Sequence, residues 1–216
     1  MDCTLYLVTD AGLSRGRSHA DVVKAAIRGG VTMVQYREKM GSTRKMIQEA
    51  RELVQLCRAA GVPFIINDRV DVALAMDADG VHVGQEDMPA AVARHLIGRS
   101  RLLGVSAGSV EEARKAVEDG ADYIGASPVF ATPTKPDAPP AMGLEGLQKL
   151  AAAVSIPVVA IGGMNAENAA RIITAGAAGV AVVSAIVGAE DVEAAARAIR
   201  AAARSAAAQR GAQGNT

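Results

Sequence analysis

The sequence contains no tryptophan, and it has only two phenylalanines and three tyrosines among its 216 residues. Half of the residues are nevertheless hydrophobic, so a core must be built mainly from Ala, Val, Ile, Leu and Met. A chain of this length and apolar content can bury a complete core without disulfides or structural metals. We therefore expect one folded domain.

Cysteine and histidine are also scarce. Cys3 and Cys57 lack a CxxC partner, and His19, His82 and His95 share no ligand spacing. A disulfide framework and a zinc site are therefore not expected. A reducing, cytoplasmic location is the simplest interpretation.

Neither charge dominates the chain, which has 23 basic and 23 acidic residues and a formal net charge of zero. Without a basic stripe, a nucleic-acid partner is not expected. Asp2 stands where a signal peptide would have basic residues, and no apolar run reaches the ~18 residues of a membrane span. The partners that we expect are small molecules, bound by a monomer or a small homo-oligomer.

Eight short apolar runs recur along the chain, separated by segments whose apolar residues have helical spacing. Glycines such as Gly61, Gly120 and Gly176 mark helix ends, and Ser18 and Ser42 mark helix starts. Apolar strands that alternate with helices indicate a parallel sheet with both faces covered. The eight runs are TLYLVTD, TMVQYRE, PFIIND, GVHVG, LLGVS, DYIGAS, PVVAIGG and GVAVVS.

Eight strands and eight helices predict a closed (β/α)8 barrel, the TIM-barrel fold. A doubly wound open sheet is the main alternative, but the segment TDAGLSRG after the first strand lacks the GxGxxG of that fold. We predict a catalytic barrel domain over residues 1–208 and a disordered tail over 209–216. The Pro-rich segment 131–143 is too long for a plain connection, so we interpret it as functional and as a candidate lid.

Polar residues gather where the predicted strands end. In a barrel, the carboxyl ends of all eight strands meet at one mouth, which carries the active site. The QYREK segment after the second strand therefore faces this mouth together with groups from the other loops. Those groups are Asn67, Asp68, Glu86, Asp87, Ser106, Thr132, Thr134, Lys135, Gly162, Gly163, Val183 and Ser184.

The types of these residues indicate anion binding. Arg37, Lys39 and Lys135 bring three positive charges to the mouth, as a diphosphate requires. Asp68 and Asp87 supply hard oxygen ligands, and carboxylates combined with substrate phosphate and water are typical of Mg²⁺. Paired glycines after the seventh strand let backbone N–H groups approach a second anion. No Ser/His or Cys/His pair is present in this set, so acyl transfer is not expected.

Several of these residues also have simpler interpretations. Asp68 suits the N-cap of a helix beginning near Val70, and Ser106 suits a local hydrogen bond. Glu86 is interpreted as a solvated neighbour and is left out of the metal site. His82 lies between two valines and is interpreted as a packed strand residue.

Six motifs follow one another at barrel spacing: VQYREK, IINDRVDVAL, GVHVGQED, GVSAGS, TPTK and AIGGM. Together they resemble the thiamine-phosphate synthase family, and the likeness runs from Tyr6 to Ile186. The resemblance implies a Mg²⁺-dependent transferase that joins hydroxymethylpyrimidine diphosphate to carboxythiazole ethyl phosphate. The implied products are thiamine phosphate, pyrophosphate and carbon dioxide, formed by a dissociative reaction in which pyrophosphate leaves first.

The resemblance also implies roles for single residues. Asp68 and Asp87 would hold the metal, and Arg37, Lys39 and Lys135 would be the catalytic cations. The residues implied to bind the pyrimidine diphosphate are Gln35, Tyr36, Arg37, Glu38, Lys39, Asn67, Ser106 and Lys135. Those implied to meet the thiazole phosphate are Thr132, Pro133, Thr134, Gly163, Val183 and Ser184.

Two positions depart from the family pattern. Tyr36 replaces the commoner leucine, with its side chain expected to turn away from the ligand, and Gly108 stands where many relatives have histidine. A sister family of thiazole tautomerases, which are isomerases on a similar barrel, has its catalytic histidine at the position of Gly108. A non-catalytic sensor of thiamine phosphate is an alternative of another class. The presence of Lys39, Asp68 and Lys135 together with Gly108 favours the synthase over the tautomerase. The metal-ligand pair, Asp68 and Asp87, argues against a sensor.

Overall fold

The computed structural model describes residues 1–132 and 140–213. Within them, eight parallel strands form a closed barrel in which each strand pairs with the next and the last pairs with the first. The predicted (β/α)8 fold is therefore confirmed. The strands are β1 (Leu5–Val8), β2 (Met33–Tyr36), β3 (Phe64–Asn67), β4 (Gly80–Val83), β5 (Leu102–Ala107), β6 (Tyr123–Ala126), β7 (Val158–Ala160) and β8 (Gly179–Val182).

Helices follow the strands and cover the outside of the barrel. A short helix, α8, and a long final helix, α9, both follow β8. The helices are α1 (His19–Arg28), α2 (Thr43–Ala60), α3 (Val70–Ala75), α4 (Ala90–Ile97), α5 (Val110–Glu118), α6 (Gly143–Ala152), α7 (Ala169–Thr174), α8 (Ser184–Val187) and α9 (Val192–Gln213).

The predicted helix boundaries have local causes. Ser18 caps α1 by accepting a hydrogen bond from the Asp21 N–H, and Ser42 caps α2 by accepting one from the Lys45 N–H. Such caps satisfy backbone donors that have no partner inside the helix. Gly61 ends α2 in the left-handed conformation with φ of 65°, which glycine adopts without steric cost.

The core has two layers because successive side chains of a strand point to opposite faces of the sheet. In β1, Leu5 and Leu7 pack outward against the helices, whereas Tyr6 and Val8 point into the barrel. A Cβ atom at Gly104 would lie 2.2 Å from the Tyr123 ring. The interior therefore accepts a large aromatic ring only where β5 has no side chain.

The final helix reaches further than the sequence indicates. Residues 209–213, which were predicted to begin a disordered tail, belong to α9. Arg210 donates hydrogen bonds to the carbonyls of Ile173 and Ala177 at 2.6 and 3.0 Å, so this end of the helix is attached to the barrel. Among the described residues, no helix is both long and apolar enough to cross a membrane.

Candidate active site

A cavity of about 170 Å³ opens at the carboxyl ends of the barrel strands. Because all the strands are parallel, polar residues that follow different strands meet there. The structure brings together most of the residues predicted to form a site. Those that line the cavity are Gln35, Arg37, Lys39, Asn67, Asp68, Asp87, Ser106, Thr132, Gly163, Val183 and Ser184.

Strand alternation divides the QYREK segment between two sides of the barrel wall. Gln35, Arg37 and Lys39 line the cavity. Tyr36 packs in the outer layer, and its hydroxyl donates to Glu49 of α2 at 2.5 Å. Glu38 accepts hydrogen bonds from the N–H groups of the loop that follows it. The expectation that the QYREK segment faces the mouth is therefore wrong for Glu38, whereas the Tyr36 side chain is turned away from the cavity, as expected.

The two predicted metal ligands meet at the mouth beside a lysine. Lys39 Nζ lies 2.6 Å from Asp68 Oδ2, and Asp87 Oδ2 accepts from the Gly84 N–H at 2.7 Å. Burial raises the pKa of Asp68, and the hydrogen bond and negative charge of Asp87 raise it further, against the opposing effect of Lys39. Two carboxylates crowded in this way favour a bound cation, and their hard oxygens fit Mg²⁺.

The backbone at Asp68 explains how its carboxylate reaches the mouth. Asp68 has φ of 61°, a left-handed conformation that is uncommon outside glycine and often occurs at functional sites. Its N–H donates to the carbonyl of His82 at 2.8 Å. Arg69 occupies the position before α3, and no side-chain cap is present there. The interpretation of Asp68 as a helix cap is therefore wrong.

Arg37 is held at the mouth by a carboxylate from the first loop. Its Nη1 lies 2.8 Å from Asp10 Oδ2, and its backbone N–H donates a hydrogen bond to the Thr9 hydroxyl. A guanidinium carries five N–H donors in a planar fork, so this ion pair orients the group and uses only part of its donor capacity. Asp10 was not predicted, because a lone aspartate after the first strand gives no signal for such a role.

A chain of buried hydrogen bonds crosses the barrel interior below the mouth. Gln35 Nε2 donates to the Tyr6 hydroxyl at 2.8 Å, and the hydroxyls of Tyr6 and Tyr123 lie 2.8 Å apart. The Tyr123 hydroxyl lies 3.0 Å from His82 Nδ1, and His82 Nε2 lies 2.9 Å from Ser106 Oγ. Five residues from five strands thus form one continuous chain.

One direction of donation satisfies every group in this chain. Burial lowers the pKa of His82 to about 4, so the ring is neutral at pH 7 and one nitrogen donates while the other accepts. If each group donates onward from Gln35, Tyr123 donates to Nδ1 and the Nε2 N–H donates to Ser106. Ser106 can then direct its own hydroxyl proton into the cavity. The reverse direction leaves the buried Tyr6 proton without an acceptor.

Sequence reasoning missed the aromatic part of this chain. Tyr6, His82 and Tyr123 all line the cavity, whereas His82 was predicted only to pack within its strand. His82 is indeed buried, but both of its nitrogens have partners on other strands. The alternation of His82 with two outward-facing valines places it inside the barrel, and this pattern could have indicated contacts with other strands.

The opposite side of the mouth is formed by backbone. Gly162 and Gly163 have φ of 102° and 70°, and a Cβ at Gly162 would lie 2.9 Å from the Phe130 carbonyl oxygen. Asn168 Nδ2 donates a hydrogen bond to the Gly163 carbonyl oxygen at 2.8 Å. Val183 and Ser184 line the cavity beside them. This close backbone and the start of α8 suit a bound phosphate.

Three predicted site residues, Pro133, Thr134 and Lys135, lie outside the described residues. Most of the candidate lid, segment 131–143, lies outside them as well. Thr132 is described and lines the cavity. The roles assigned to the other three stay predictions.

Comparison with known proteins gives a consistent result. The sequence model of the thiamine monophosphate synthase family matches residues 5–186. A thiamine-phosphate synthase of Chloroflexus aurantiacus is 66% identical over 177 residues, covering 82% of each chain. One from Syntrophomonas wolfei is 53% identical over 176 residues, covering 82% of this chain and 84% of the relative.

Solved structures agree with the sequence relatives. A thiamine phosphate pyrophosphorylase of Pyrococcus furiosus superposes with a TM-score of 0.88 at 44% identity, covering 95% of this chain and 97% of the other. A structure described as native KDPGal, at 20% identity and a TM-score of 0.72, shows the fold alone. The chain belongs to the thiamine monophosphate synthase family, and it is a transferase of thiamine-phosphate synthesis.

Proposed function

We propose that this member of the family joins 4-amino-2-methyl-5-hydroxymethylpyrimidine diphosphate to carboxythiazole ethyl phosphate, giving thiamine phosphate, pyrophosphate and carbon dioxide. The observation that carries the proposal is the convergence of Arg37, Lys39, Asp68 and Asp87 on one side of the mouth. Paired glycines stand across the same cavity. One cavity thus offers separate places for a metal-bound diphosphate and for a phosphate.

Asp68 and Asp87 are the residues that would hold Mg²⁺. When bound, this ion supplies positive charge to the departing diphosphate oxygens. Lys39 and Arg37 add cationic donors on the same side, where they neutralise charge that grows as the bond breaks. Lys135 is proposed to act with them.

The pyrimidine is proposed to lie over the buried hydrogen-bond chain. Ser106 directs its hydroxyl donor into the cavity because His82 occupies one of its acceptor positions. Gln35 and Asn67 add amide groups on the adjacent strands. The thiazole phosphate is then proposed to meet Gly163, Val183 and Ser184, with Thr132, Pro133 and Thr134 near the ring.

The proposed reaction requires charge stabilisation more than proton transfer. The bond between the pyrimidine methylene carbon and the diphosphate oxygen breaks, and both electrons leave with pyrophosphate. The electron-rich aminopyrimidine stabilises the resulting cation until the thiazole nitrogen donates its electron pair to the methylene carbon. Loss of carbon dioxide then restores the aromatic thiazolium ring. No side chain is needed as a base in the first step, which fits a mouth that contains cations and carboxylates.

The direct test is incubation of the purified chain with both substrates, with and without Mg²⁺. We expect equal amounts of pyrophosphate and thiamine phosphate, and we expect both to depend on the metal. Thiamine phosphate that binds without pyrophosphate release from the substrates would indicate a sensor. Isomerisation of the thiazole without pyrophosphate release would indicate a tautomerase. Either of these results would overturn the proposal.

A further inference from the structure

A second group of potential metal ligands lies on the other side of β2, between α1 and α2. His19 begins α1, Glu49 belongs to α2, and Glu38 follows β2. One ligand atom from each residue lies within 4.8 Å of the others. We name these three residues the rear cluster. None of them lines the cavity at the mouth.

The imidazole of the rear cluster has an unsatisfied nitrogen. His19 is only 9% exposed, and its Nε2 is buried without a hydrogen-bond partner. The nearest carboxylate oxygen, Glu49 Oε2, is 3.8 Å away, which is too long for a hydrogen bond. Buried polar atoms nearly always have a partner, and an exception requires an explanation such as an ion.

The protonation state of the rear cluster suits a metal. Burial lowers the pKa of His19, although the charges of Glu49 and Glu38 oppose this effect. A neutral imidazole presents a lone pair, which is the form that binds metals. Burial acts to raise the pKa of Glu38, but hydrogen bonds from the N–H groups of Met40 and Gly41 outweigh it and lower the pKa. Glu38 is therefore a carboxylate at pH 7.

Both glutamates are held by further hydrogen bonds, as metal ligands usually are. Glu38 Oε1 accepts from the N–H groups of Met40 at 2.7 Å and Gly41 at 3.0 Å. The Tyr36 hydroxyl donates to Glu49 Oε2 at 2.5 Å. A Cβ at Gly41 would lie 2.7 Å from Glu38 Cγ, so a side chain at that position would force Glu38 to shift.

A lysine already shows that the rear cluster attracts a cation. Lys45 Nζ lies 3.4 Å from Glu38 Oε2 and 3.8 Å from Glu49 Oε1, and its side chain is 52% exposed. An ammonium group on a flexible, half-exposed stem can move into water when a stronger cation arrives. Lys45 also leaves the His19 ring without a hydrogen bond, because His19 Nε2 has no partner among the described residues.

We propose that His19, Glu38 and Glu49 bind a divalent first-row transition ion of the Zn²⁺ type and that Lys45 is displaced when they do. One nitrogen and two carboxylates suit such an ion better than Mg²⁺, which prefers oxygen alone. Bonds of ~2.0–2.1 Å in a tetrahedral site place ligand atoms ~3.3 Å apart. Ligand atoms that lie within 4.8 Å of one another therefore have to approach by at most ~1.5 Å to close around the ion.

An entry route leads to the rear cluster. A pocket of about 280 Å³ is lined by Ser14, Arg17, His19 and Glu49, among others. The Arg17 guanidinium in this pocket is engaged by the carbonyls of Val187 and Ala189, so it is fixed away from the ligand atoms. Water in the pocket can complete the coordination sphere. The bound ion would connect α1, α2 and the loop that carries Lys39.

The test is calorimetric titration of the chelator-treated, full-length protein with Zn²⁺ in the presence of excess Mg²⁺, followed by Co²⁺ binding and its visible spectrum. We expect one tight Zn²⁺ site, and we expect His19→Gln and Glu49→Gln each to weaken it at least tenfold. His95→Gln, which removes an exposed histidine from α4, is the matched control. It should bind as the unchanged protein does.

Two further variants test whether the site is independent of the mouth and whether Lys45 competes with the ion. The double variant Asp68→Asn/Asp87→Asn should keep the tight site. Lys45→Ala should tighten it severalfold, because a competing cation is removed. Loss of the site in the mouth variant, equal affinity in His19→Gln, or no change in Lys45→Ala would each overturn the proposal.

Discussion

The mouth of the barrel and the rear cluster each bring two carboxylates and a lysine together, but the surroundings of the two groups differ. At the mouth, Lys39 pairs directly with Asp68, Asp87 lies beside Asp68, and all three line an open cavity. Behind β2, Glu38 and Glu49 lie beside Lys45 with a buried imidazole between α1 and α2. Oxygen ligands alone suit Mg²⁺ and phosphate, whereas an added imidazole suits a transition ion.

The comparison shows how one short segment supplies both regions. Gln35, Arg37 and Lys39 face the mouth, and Tyr36 and Glu38 face the helices. This division follows from the two-residue period of extended chain. Neighbouring residues of one motif can therefore serve separate chemistry without any change in the backbone path.

The largest effect should come from the lysine at the mouth, and the lysine of the rear cluster is its control. We expect Lys39→Ala to reduce turnover by ~10²–10³-fold, or ~3–4 kcal/mol, because it removes a preorganised cation from the departing diphosphate. Lys45→Ala should change turnover by less than about twofold, since Lys45 lies behind the barrel wall. Steady-state rates of pyrophosphate release measure both. Equal losses in the two variants would remove the distinction between the regions.

The two buried histidines allow a second comparison, through the pH dependence of stability. The pKa of His82 is about 4 in the folded chain against 6.5 for an ordinary histidine, so the unfolded chain binds more protons between these values. The contribution of neutral His82 to the free energy of unfolding should therefore be fully present above pH 6.5. It should decrease by up to ~3 kcal/mol as the pH falls to 4. Burial also lowers the pKa of His19, which acts in the same direction.

Urea unfolding at several pH values tests this prediction. The stability of His82→Gln should depend less on pH between 6.5 and 4 than that of the unchanged protein. His95→Gln should retain the original dependence because His95 is exposed. A pH dependence that is identical in all three proteins would show that His82 is not kept neutral by burial.

The smallest expected effect separates two tyrosines. Tyr6→Phe interrupts the hydrogen-bond chain that ends at Ser106, so the KM for the pyrimidine substrate should rise about fivefold, or ~1 kcal/mol. Tyr36→Phe removes a hydroxyl that contacts Glu49 behind the wall, so it should lower stability by ~1 kcal/mol and leave that KM unchanged. Substrate titrations and urea unfolding of both variants distinguish the two outcomes. A raised KM in Tyr36→Phe would show that Tyr36 contributes to substrate binding after all.

Much of the mouth was predictable because a parallel barrel leaves little choice about where strands end. Once eight apolar runs are recognised, residues such as Asn67, Asp87 and Ser106 must meet at one edge. Their types then indicate the chemistry. The prediction for Glu38 was wrong, although the alternation that turns Tyr36 and Glu38 to the same side was visible in the sequence.

The partners inside the barrel were not predictable in the same way. Tyr6 and Tyr123 are 117 residues apart, yet their hydroxyls lie 2.8 Å from each other. Their contact depends on the strand register, which pairs Tyr123 with Gly104, and on the space left at Gly104. Neither quantity can be read from local composition, so a tyrosine in a strand looks like an ordinary core residue.

The order and spacing of residues were sufficient to predict the closed barrel, the end of it that carries the site and most of the polar residues there. Hydrophobic period and chain direction are local properties, and they are sufficient for these conclusions. Which distant groups each residue of QYREK meets depends instead on how the strands and helices pack together. His19, Glu38 and Glu49 come from three separate elements. Their proximity depends on the packing of α1 and α2 against β2, and this packing cannot be predicted from a local sequence pattern.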